Sequence, residues 1–479
     1  MSEFEAVIGL EVHAELLTAS KMFCGCSTTF GEPPNTETCP VCLGMPGVLP
    51  VVNRRAVEYA LRTALALRCE IPAMSRFARK NYFYPDLPKA YQISQYELPL
   101  SEHGHLAFRQ GEAERRIGIR RVHLEEDTGK LVHAGLMEEA ESSLVDYNRC
   151  GVPLMEIVSE PDLRTPEAAA EYLRQLRAIL VFLGVCDGNM EEGSFRCDAN
   201  VSIRPRGATE LGVKVEVKNM NSFRNVQKAL EYEIRRQIRA VTGGERLVQE
   251  TRLWNADQEI TLSMRGKEHA HDYRYFPDPD LVPLVVDPAW VEEIRRTLPE
   301  LPEAKRQRFV AQYGLPVYDA GVLTASRALA DYYEAAVKSH DDPKTVSNWV
   351  MVELLGRLNK DGKEIGESPI PPERLGAMLA LLAKGAISGK MAKEFFDEMY
   401  GSGADPDDIM RREGRQITDA GELERIIAEV IAKHPGPVAE YRSGKEGTFN
   451  FFVGQVMKAT RGKANPALVA ELLRKLLQP

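Results

Sequence analysis

The sequence predicts an α+β fold, in which a mixed, largely antiparallel sheet forms a cradle domain with a zinc-binding loop, followed by a helical domain and a small all-helical tail domain. Three observations predict it. Short runs of alternating apolar and polar residues, mixed with a few helical stretches, fill residues 1–291. A dense group of prolines follows. The rest of the chain carries apolar residues at the three- and four-residue spacing of helices.

Residues 1–291 are predicted to form the cradle domain. Alternating runs place strands at 6–16, 118–126, 197–203 and 213–217, and helical spacing places helices at 167–183 and 225–241. Six prolines lie between positions 277 and 302. Because proline interrupts both helices and sheet ladders, this stretch predicts the end of the domain.

The remainder is predicted to form two helical domains. The helical domain spans 292–405, with helices at 372–383 and 391–399, and a run of glycine, serine and proline at 401–406 ends it. The tail domain spans 406–479. One of its helices carries an apolar stripe from 423 to 431. Another begins where Asn465 precedes Pro466, a capping residue followed by proline at the first helical position.

The composition indicates a globular chain with a locally basic end. Of 479 residues, 44% are hydrophobic and 27% are charged, which excludes a disordered or fibrous protein. The net charge of −9 argues against nucleic-acid binding over the whole surface, so such contacts are expected to be local, and DNA is not an expected partner. Residues 441–479 reverse this sign, with seven basic residues against two acidic ones.

The N-terminal residues and the hydropathy pattern predict a cytoplasmic protein with no membrane partner. Met1 is followed by acidic residues rather than by a basic and then apolar leader. No window approaches about 18 uninterrupted apolar residues.

Four of the eight cysteines form a cluster. Cys24 and Cys26 are followed, after twelve residues, by Cys39 and Cys42. Two close pairs supply four thiolates, which complete a tetrahedral Zn²⁺ shell without an open position, so the loop 24–42 is expected to hold structural zinc. The alternative is four free cysteines in a cytosolic fold. A redox role for Cys39 and Cys42 is disfavoured because the other pair completes a metal-ligand set.

Acidic side chains and a histidine recur on the predicted strand faces. In the first strand, the period of two places Glu11, His13 and Glu15 on one face. For this strand alone, an ordinary solvated face is the better interpretation. Three further segments favour a functional site, and they contain His123, Glu125, Glu126 and Asp127, then Asp198 and Asn200, and finally Glu216 between Lys214 and Lys218.

These oxygen atoms favour a magnesium site for a substrate that carries phosphate. Mg²⁺ keeps several waters and binds through a few carboxylates plus the phosphates of its substrate. Nearby cations would contact the phosphates, and the candidates are Lys80, Lys214 and Lys218. The chain has no Gly-x-x-x-x-Gly-Lys-Ser/Thr loop and no dinucleotide glycine fingerprint, so an ATP site would lie outside the P-loop and Rossmann classes.

Several longer motifs together resemble one family. They are VIGLEVH at 7–13, KNYFYPD at 80–86, KAYQISQ at 89–95, DYNR at 146–149 with GVPL at 151–154, GNMEEGS at 188–194 and HDYRYFP at 271–277. In this order they resemble the B subunit of the tRNA-dependent aspartyl/glutamyl amidotransferases. The resemblance covers the whole chain, including FNFFVGQVM at 449–457 and GKANP at 462–466, which are similar to the family's tRNA-binding end.

The resemblance implies a ligase that forms a carbon–nitrogen bond with glutamine as the amido donor. ATP would phosphorylate the side-chain carboxylate of Glu on tRNA(Gln) or Asp on tRNA(Asn), and ammonia would then displace the phosphate. An amidase-type A subunit would release this ammonia from glutamine, and a small C subunit would complete a heterotrimer. The sequence leaves open which misacylated tRNA is the substrate.

The resemblance also implies roles for individual residues. Five side chains would ligate Mg²⁺, namely Glu11, His13, Glu126, Asp198 and Glu216. Lys80 would lie close by, and these six residues are the predicted catalytic group. Strand alternation instead puts Glu125 on the face of His123 unless the strand has ended, so the choice between Glu125 and Glu126 stays open. In the tail, the predicted contacts to tRNA phosphates are Arg442, Lys445, Lys458, Arg461 and Lys463.

Two other functions compete with this one. A non-enzymatic tRNA-binding module would use the zinc loop and the tail, but converging carboxylates would repel its phosphates unless a metal is present. A metal-dependent hydrolase would work without ATP. The chain shows no Gly-x-Ser-x-Gly elbow and no Cys/His nucleophile pair, so glutamine hydrolysis is assigned to a partner protein.

Overall fold

The computed structural model describes residues 3–111, 113–133, 143–264, 273–414, 417, 419–460 and 462–478. The chain divides into two compact units, one up to residue 303 and one from residue 304 onwards. The sequence analysis also names Met1, His271, Asp272 and Arg461, which lie outside the described residues. None of the described helices is long and apolar enough to cross a membrane.

All strands of the described residues lie in the first unit. They are β1 (Phe4–Glu15), β2 (Met74–Ser75), β3 (Ala78–Asn81), β4 (Tyr91–Ser94), β5 (Ser101–Gln110), β6 (Ala113–Glu126), β7 (Lys130–His133), β8 (Ser143–Asp146), β9 (Pro153–Ser159), β10 (Phe195–Pro205), β11 (Val215–Lys218), β12 (Glu250–Asn255), β13 (Ile260–Ser263), β14 (Phe276–Pro277) and β15 (Leu284–Val285).

Eight of these strands form one sheet in the order β13-β12-β11-β10-β1-β9-β6-β5. Neighbouring strands of this described sheet pair antiparallel, except that β11 and β12 are parallel. The predicted mixed, largely antiparallel sheet is therefore confirmed. The predicted strands correspond to β1, β6, β10 and β11, and β6 begins earlier than expected because β5 pairs with it as far as Ala113.

Helices cover one face of this sheet. They are α1 (Arg54–Ala66), α2 (Pro166–Leu183) and α3 (Phe223–Thr242). Alternate residues of β1, among them Ile8, Leu10 and Val12, are buried in the same hydrophobic core as these helices. Burial of apolar surface stabilises the fold by roughly 25 cal/mol per Å². It therefore determines which face of each strand points towards the helices. The opposite face carries the polar residues of β1.

The proline-rich stretch at 277–302 is itself structured. It contains β15 and the helix α4 (Pro288–Thr297), in which Pro288 occupies the first turn, where a missing N–H costs no hydrogen bond. Helix α4 contributes Trp290 to the first core, and the Arg54 guanidinium lies 5.1 Å from its ring centroid. The first compact unit accordingly extends to residue 303.

Three small sheets complete the first unit, namely β14-β3-β4, β15-β2 and β7-β8. Strand β4 and the residues after it lie beside the end of β6. The Gln95 side chain accepts a hydrogen bond from the Leu124 N–H at 3.0 Å, and the Gln92 side chain donates to the Glu126 carbonyl at 2.7 Å. These bonds hold the three-stranded sheet, which carries Lys80, at the edge of the polar face.

The second unit is built from helices. They are α5 (Pro302–Tyr313), which begins at the end of the first unit, α6 (Val317–Leu323), α7 (Arg327–Ser339), α8 (Pro343–Asn348), a π-helical turn (Trp349–Leu354), α9 (Leu355–Lys360), a 3-10 turn (Ile365–Glu367), α10 (Pro372–Ala383), α11 (Gly389–Ser402), α12 (Pro406–Glu413), α13 (Ala420–Lys433), α14 (Pro435–Arg442), α15 (Thr448–Ala459) and α16 (Pro466–Leu477).

The last four helices share a hydrophobic core of their own. Leu423, Ile427, Phe452 and Leu473 are fully buried in it. Asn465 caps α16 as predicted, accepting from the N–H groups of residues 467 and 468. The helical C-terminal region is confirmed, whereas the proposed boundary between residues 405 and 406 stays a prediction.

Candidate active site

The candidate site lies on the polar face of the eight-stranded sheet and is aligned by its register. His13 of β1 stands opposite Arg196 of β10 on one side and Glu156 of β9 on the other. Glu156 in turn stands opposite His123 of β6. Because directly opposed residues share a face, four neighbouring strands place these polar side chains in one row.

A group of potential metal ligands lies in this row. The Nε2 atom of His13 lies 3.7 Å from a carboxylate oxygen of Glu125 and 3.7 Å from one of Glu156. One ligand atom from each of these three residues falls within 4.8 Å of the others. His123 supports the group, since its Nε2 lies 3.1 Å from the Glu156 carboxylate and 3.8 Å from that of Glu125.

Electrostatics keeps the two carboxylates of this group ionised. Burial alone would raise the pKa of Glu156, but His123 and His13 outweigh it and hold that pKa well below its usual range. Burial likewise opposes ionisation of Glu125, yet the hydrogen bond with His123 lowers its pKa. Conversely, burial would lower the pKa of His123, and the two glutamates raise it to about 9. Ionised oxygens of this kind are the ligands that divalent cations prefer.

Glu11, Asp198 and Glu216 lie further along the same face, where protein groups already contact them. The Asn200 amide donates to Glu11 at 2.8 Å. The Lys218 ammonium lies 3.2 Å from Asp198 and 3.3 Å from Glu216. Burial would lower the pKa of Lys218, but these two carboxylates raise it. The pKa of Glu11 is raised, chiefly by burial and then by the charge of Glu156.

The structure places Glu126 away from these carboxylates. Its side chain forms a buried salt bridge with Lys89, and its carboxylate also accepts the Ile93 N–H at 3.0 Å. Strand β6 continues through Glu126, so alternation turns Glu126 to the opposite face and leaves Glu125 beside His13. Of the two glutamates that the sequence left open, Glu125 is the one that the structure brings to the site.

The predicted phosphate-binding lysines occupy three different places. Lys80 contributes to the lowered pKa of Glu156, and its Nζ lies 4.8 Å from the ring centroid of Tyr273. Lys214 lines a cavity of about 220 Å³ whose walls also include Glu11. Lys218 lies between its two carboxylates. Lys80 therefore lies beside the His13 group, and Lys214 and Lys218 lie on the Glu11 side.

A second charge network borders the site. The Arg196 guanidinium lies 2.8 Å from Asp127 and 3.3 Å from Glu15. Burial and the neighbouring Asp127 raise the pKa of Glu15 to about 8. Arg149 also contacts Asp127 at 3.6 Å and donates to the backbone carbonyls of residues 128 and 129. This network fixes Arg196 next to His13, at the end of the polar row.

The four cysteines of the loop converge, as predicted. Their sulfur atoms lie within 4.8 Å of one another. Tight turns bring each pair together, because the Lys21 N–H donates to the Cys26 carbonyl at 3.0 Å and the Cys39 N–H donates to the Cys42 sulfur at 3.2 Å. The donor set fits a closed tetrahedral zinc site.

A fully buried lysine lies against this cluster. The Lys21 ammonium donates to the Glu37 carbonyl at 2.6 Å and lies 3.8 Å from the Cys42 sulfur. Among the described residues Lys21 forms no salt bridge, and Glu126, which lines the same cavity, pairs with Lys89 instead. A buried cation needs an anionic neighbour, and zinc-bound thiolates would supply one.

The basic residues of the tail differ in their surroundings. Arg442 donates weakly to the carbonyls of residues 477 and 478, and Lys463 donates to the Glu413 carbonyl. Lys445 lies 3.2 Å from Glu440. Lys458 is exposed, and its side chain has no hydrogen bond or ion pair among the described residues. Arg461 lies outside them.

Sequence reasoning missed Glu156, which the structure places at the centre of the site. It also assigned no role to Lys89 or to the contact of Asn200 with Glu11. Glu156 had a local signal, since it is a lone carboxylate in the buried strand PLMEIVS. The Lys89 contact had none, because it joins residues 37 positions apart.

Comparisons with known proteins agree over the whole chain. The GatB/GatE catalytic domain matches residues 6–292, and the GatB domain matches residues 331–477. The B subunit of the aspartyl/glutamyl-tRNA(Asn/Gln) amidotransferase from Carboxydothermus hydrogenoformans is 60% identical over 475 residues, which cover 99% of each chain. The B subunits of the same name from Geotalea daltonii and Thermodesulfovibrio yellowstonii are 59% and 58% identical over 477 residues, covering 99% of this chain and 100% of theirs. The chain therefore belongs to the GatB family of amidotransferase B subunits.

Proposed function

We propose that this chain activates and then amidates the amino acid carried by a misacylated tRNA. Family membership makes it a subunit of a tRNA-dependent amidotransferase, a ligase of protein biosynthesis. In the proposed reaction, ATP transfers its terminal phosphoryl group to the side-chain carboxylate of Glu-tRNA(Gln) or Asp-tRNA(Asn), and ADP leaves. Ammonia then attacks the acyl phosphate, an amide bond forms, and inorganic phosphate leaves.

The observation that carries the proposal is the group formed by His13, Glu125 and Glu156. It offers one imidazole and two ionised carboxylates on a strand face, within 4.8 Å of one another. Three protein ligands would leave further positions for water and substrate oxygens, as Mg²⁺ requires. When bound there, Mg²⁺ would offset the negative charge of a phosphoryl group in transfer.

Residues around this group would position the reactants. Lys80 contributes a positive charge beside Glu156, where a phosphate would otherwise meet two carboxylates. His123 holds Glu156 from the buried side at 3.1 Å, so that this carboxylate keeps one orientation. On the other side, the cavity lined by Glu11 and Lys214 offers room next to the same strands. Rigid strands thus support both halves of the proposed site.

We assign structural Zn²⁺ to the four cysteines. The charge of Lys21 supports this assignment, because it lies against sulfur rather than against a carboxylate. The loop is tied to the body of the first unit through Asn148, which accepts the Glu37 N–H at 2.8 Å and donates to the Pro33 carbonyl at 2.7 Å. The metal would therefore fix a loop and would take no part in amide formation.

The proposed partners follow from the chemistry that this chain lacks. The relatives are named as B subunits, which implies that further subunits exist. We assign glutamine hydrolysis to an amidase-type A subunit and expect a small C subunit in the same heterotrimer. The basic tail, with exposed Lys458, is the proposed contact for tRNA phosphates.

Replacing the nitrogen source tests the proposal. The heterotrimer would be given ATP, Mg²⁺ and Glu-tRNA(Gln) or Asp-tRNA(Asn), with ammonium chloride instead of glutamine. We expect amidated tRNA and one phosphate released per amide, because the chemistry assigned here starts from free ammonia. Amidation that proceeds without ATP, or phosphate release that is independent of charged tRNA, would contradict the proposal.

A further inference from the structure

Four tyrosines form a cluster near the proposed metal centre. Tyr96 and Tyr275 stack in parallel, with ring centroids 4.1 Å apart and an angle of 6° between the ring planes. Tyr273 meets Tyr275 edge to face at 6.1 Å and meets Tyr82 at 6.0 Å. This tyrosine cluster takes no part in the chemistry described above.

The cluster lies against the carboxylates of the metal-ligand group. Burial raises the pKa of the Tyr275 hydroxyl, and the negative charges of Glu125 and Glu156 raise it further. Burial and then the charge of Glu125 also raise the pKa of Tyr82. Because charges shift a pKa in this way only at short range, a ligand that contacts the rings would also reach the metal centre.

Hydrogen bonds to β3 hold part of the cluster in place. The Asn81 N–H donates to the Tyr273 carbonyl at 3.0 Å, and the Asn81 side chain donates to the Arg274 carbonyl at 2.9 Å. Arg274 has a left-handed backbone with φ of 43°, which is uncommon for a residue with a side chain. These bonds fix the backbone between Tyr273 and Tyr275, so a fixed segment presents both rings.

Two cations flank the rings. The Lys80 Nζ lies 4.8 Å from the Tyr273 ring centroid, and the Arg121 guanidinium lies 6.0 Å from the Tyr96 ring centroid. Neither cation forms a salt bridge within the part of the chain that the structure describes. Further along β6, the exposed Arg116 adds a third positive charge. Positive charge therefore continues from the rings along β6.

Aromatic rings beside cations are typical of proteins that bind single-stranded nucleic acid. Unpaired bases stack on tyrosine rings, and arginine and lysine contact the neighbouring phosphates. Tyr96 is 48% exposed, so it can accept a planar base without a change of the fold. The cluster therefore has the chemistry of a site for an unpaired nucleotide.

Of the two substrates, the charged tRNA fits this site better than ATP. Its amino acid is esterified to the ribose of the unpaired 3′-terminal adenosine, so that base must lie close to the reacting carboxylate. ATP carries adenine too, but the cavity lined by Glu11 and Lys214 offers it a separate position on the other side of the metal-ligand group. The open face of Tyr96 and the charge along β6 suit the end of a nucleic-acid strand.

We propose that Tyr96, supported by Tyr275, stacks on the 3′-terminal base of the charged tRNA, and that Arg121 contacts the phosphate next to that base. This inference rests on the proposed function and gives its tRNA substrate a binding site on the strand face. With the base held there, the aminoacyl group extends from the ribose towards Glu125 and Glu156, where phosphoryl transfer is proposed.

Shortening the tRNA by one nucleotide tests the inference. The heterotrimer would be titrated with two uncharged RNAs, tRNA(Gln) or tRNA(Asn) with its complete CCA end and the same RNA without the terminal adenosine. For the native complex we expect the shortened RNA to bind more weakly by roughly fivefold or more, because one stacked base is lost. Contacts elsewhere, including those of the tail, are the same for both RNAs and cancel in the ratio of affinities.

Variants assign the effect to the rings. Tyr96→Leu should bind both RNAs equally, whereas Tyr96→Trp should keep the native ratio because it retains an aromatic ring. Arg121→Gln should weaken binding of the complete RNA and lower its slope of log affinity against log salt by about 1. Tyr318→Leu is the matched control, since it removes an exposed tyrosine of α6 in the second unit, and it should keep the native ratio.

The opposite results would overturn the inference. They are a ratio near one in the native complex, or a native ratio in both Tyr96→Leu and a second ring-free variant, Tyr96→Met. A loss of ATP affinity in Tyr96→Leu at an unchanged RNA ratio would assign the rings to the nucleotide and would also overturn it. ATP-dependent amidation by the native complex, measured in parallel, tests the proposed function separately, since it can persist when the RNA ratio is one. Circular dichroism confirms that each variant is folded.

Discussion

His13 of β1 and Glu156 of β9 stand directly opposite each other in the sheet, and the His13 Nε2 lies 3.7 Å from the Glu156 carboxylate. Glu156 also stands opposite His123 of β6. The metal-ligand group is therefore produced by strand register. Because the side-chain period of a strand is two, a slip of one residue in β9 would turn Glu156 towards the helices and dismantle the site.

Substitution of the two neighbouring glutamates of β6 should separate their roles. We expect Glu125→Gln to weaken Mn²⁺ binding at least tenfold, because it removes a charged ligand. Glu126→Gln should keep Mn²⁺ affinity and instead destabilise the chain by about 3 kcal/mol, since it leaves Lys89 buried without its counter-ion. Mn²⁺ titration and denaturant unfolding measure the two effects. The reverse pattern would place Glu126 in the metal site.

The stability of the first unit should depend on pH through His123. Its folded-state pKa of about 9 lies above the ordinary value of 6.5, so the stabilisation is fully present below pH 6.5 and is lost as the pH rises through 9. The shift corresponds to about 3 kcal/mol. In Mg²⁺-free buffer, the difference in unfolding free energy between native protein and His123→Gln should shrink between pH 6.5 and 9. A difference independent of pH would contradict this charge assignment.

Lys21 should increase the zinc affinity of the chain rather than stabilise the zinc-free fold. We expect Lys21→Met to lower zinc affinity roughly 10- to 100-fold, as for other residues that surround metal ligands. Competition with a chromophoric chelator measures it. Lys89→Met is the matched control, because it should lower stability through the loss of the Glu126 pair without changing zinc affinity. Equal zinc affinity in native protein and Lys21→Met would refute the charge argument.

The tail lysines should divide into tRNA contacts and structural contacts. Lys458→Ala should weaken tRNA binding and reduce the slope of log affinity against log salt by about 1, since one phosphate contact is lost. Lys463→Ala should mainly lower the thermal stability of the tail, because Lys463 donates to the Glu413 carbonyl. An unchanged salt slope in Lys458→Ala would remove that residue from the tRNA contact.

Local patterns in the sequence located several of the elements. The two-residue period of apolar positions located the start of β1 to within two residues. The Asn465-Pro466 pair marked the first turn of α16. Alternation also pointed to Glu125, while the family resemblance pointed to Glu126. The local rule agrees with the structure because β6 pairs with β9 in regular register from Arg121 to Glu126. Such features depend on neighbours in the chain, which the sequence displays directly.

Contacts between distant residues could not be predicted in the same way. The pair of Lys89 and Glu126 forms only when the segment around β4 lies against the end of β6. The bond from Asn200 to Glu11, which spans 189 positions, forms only when β10 pairs with β1. Glu156 joins the site because β9 lies between β1 and β6, an order that sequence periodicity does not encode. The acidic strand faces of the site were therefore predictable from the sequence, but the contacts between residues of different strands were not.

Phosphate release by the reconstituted heterotrimer tests most directly whether the polar strand face performs ATP-dependent activation. Turnover would be measured with and without Glu-tRNA(Gln) or Asp-tRNA(Asn) for the native chain, Glu156→Gln and Glu216→Ala. Glu292→Gln, at an exposed position of α4, is the control. We expect charged tRNA to stimulate phosphate release in the native and control complexes, and expect Glu156→Gln and Glu216→Ala to abolish it while tRNA still binds. Full turnover in both variants would show that the strand face is a binding scaffold and that the chemistry belongs to another chain of the complex.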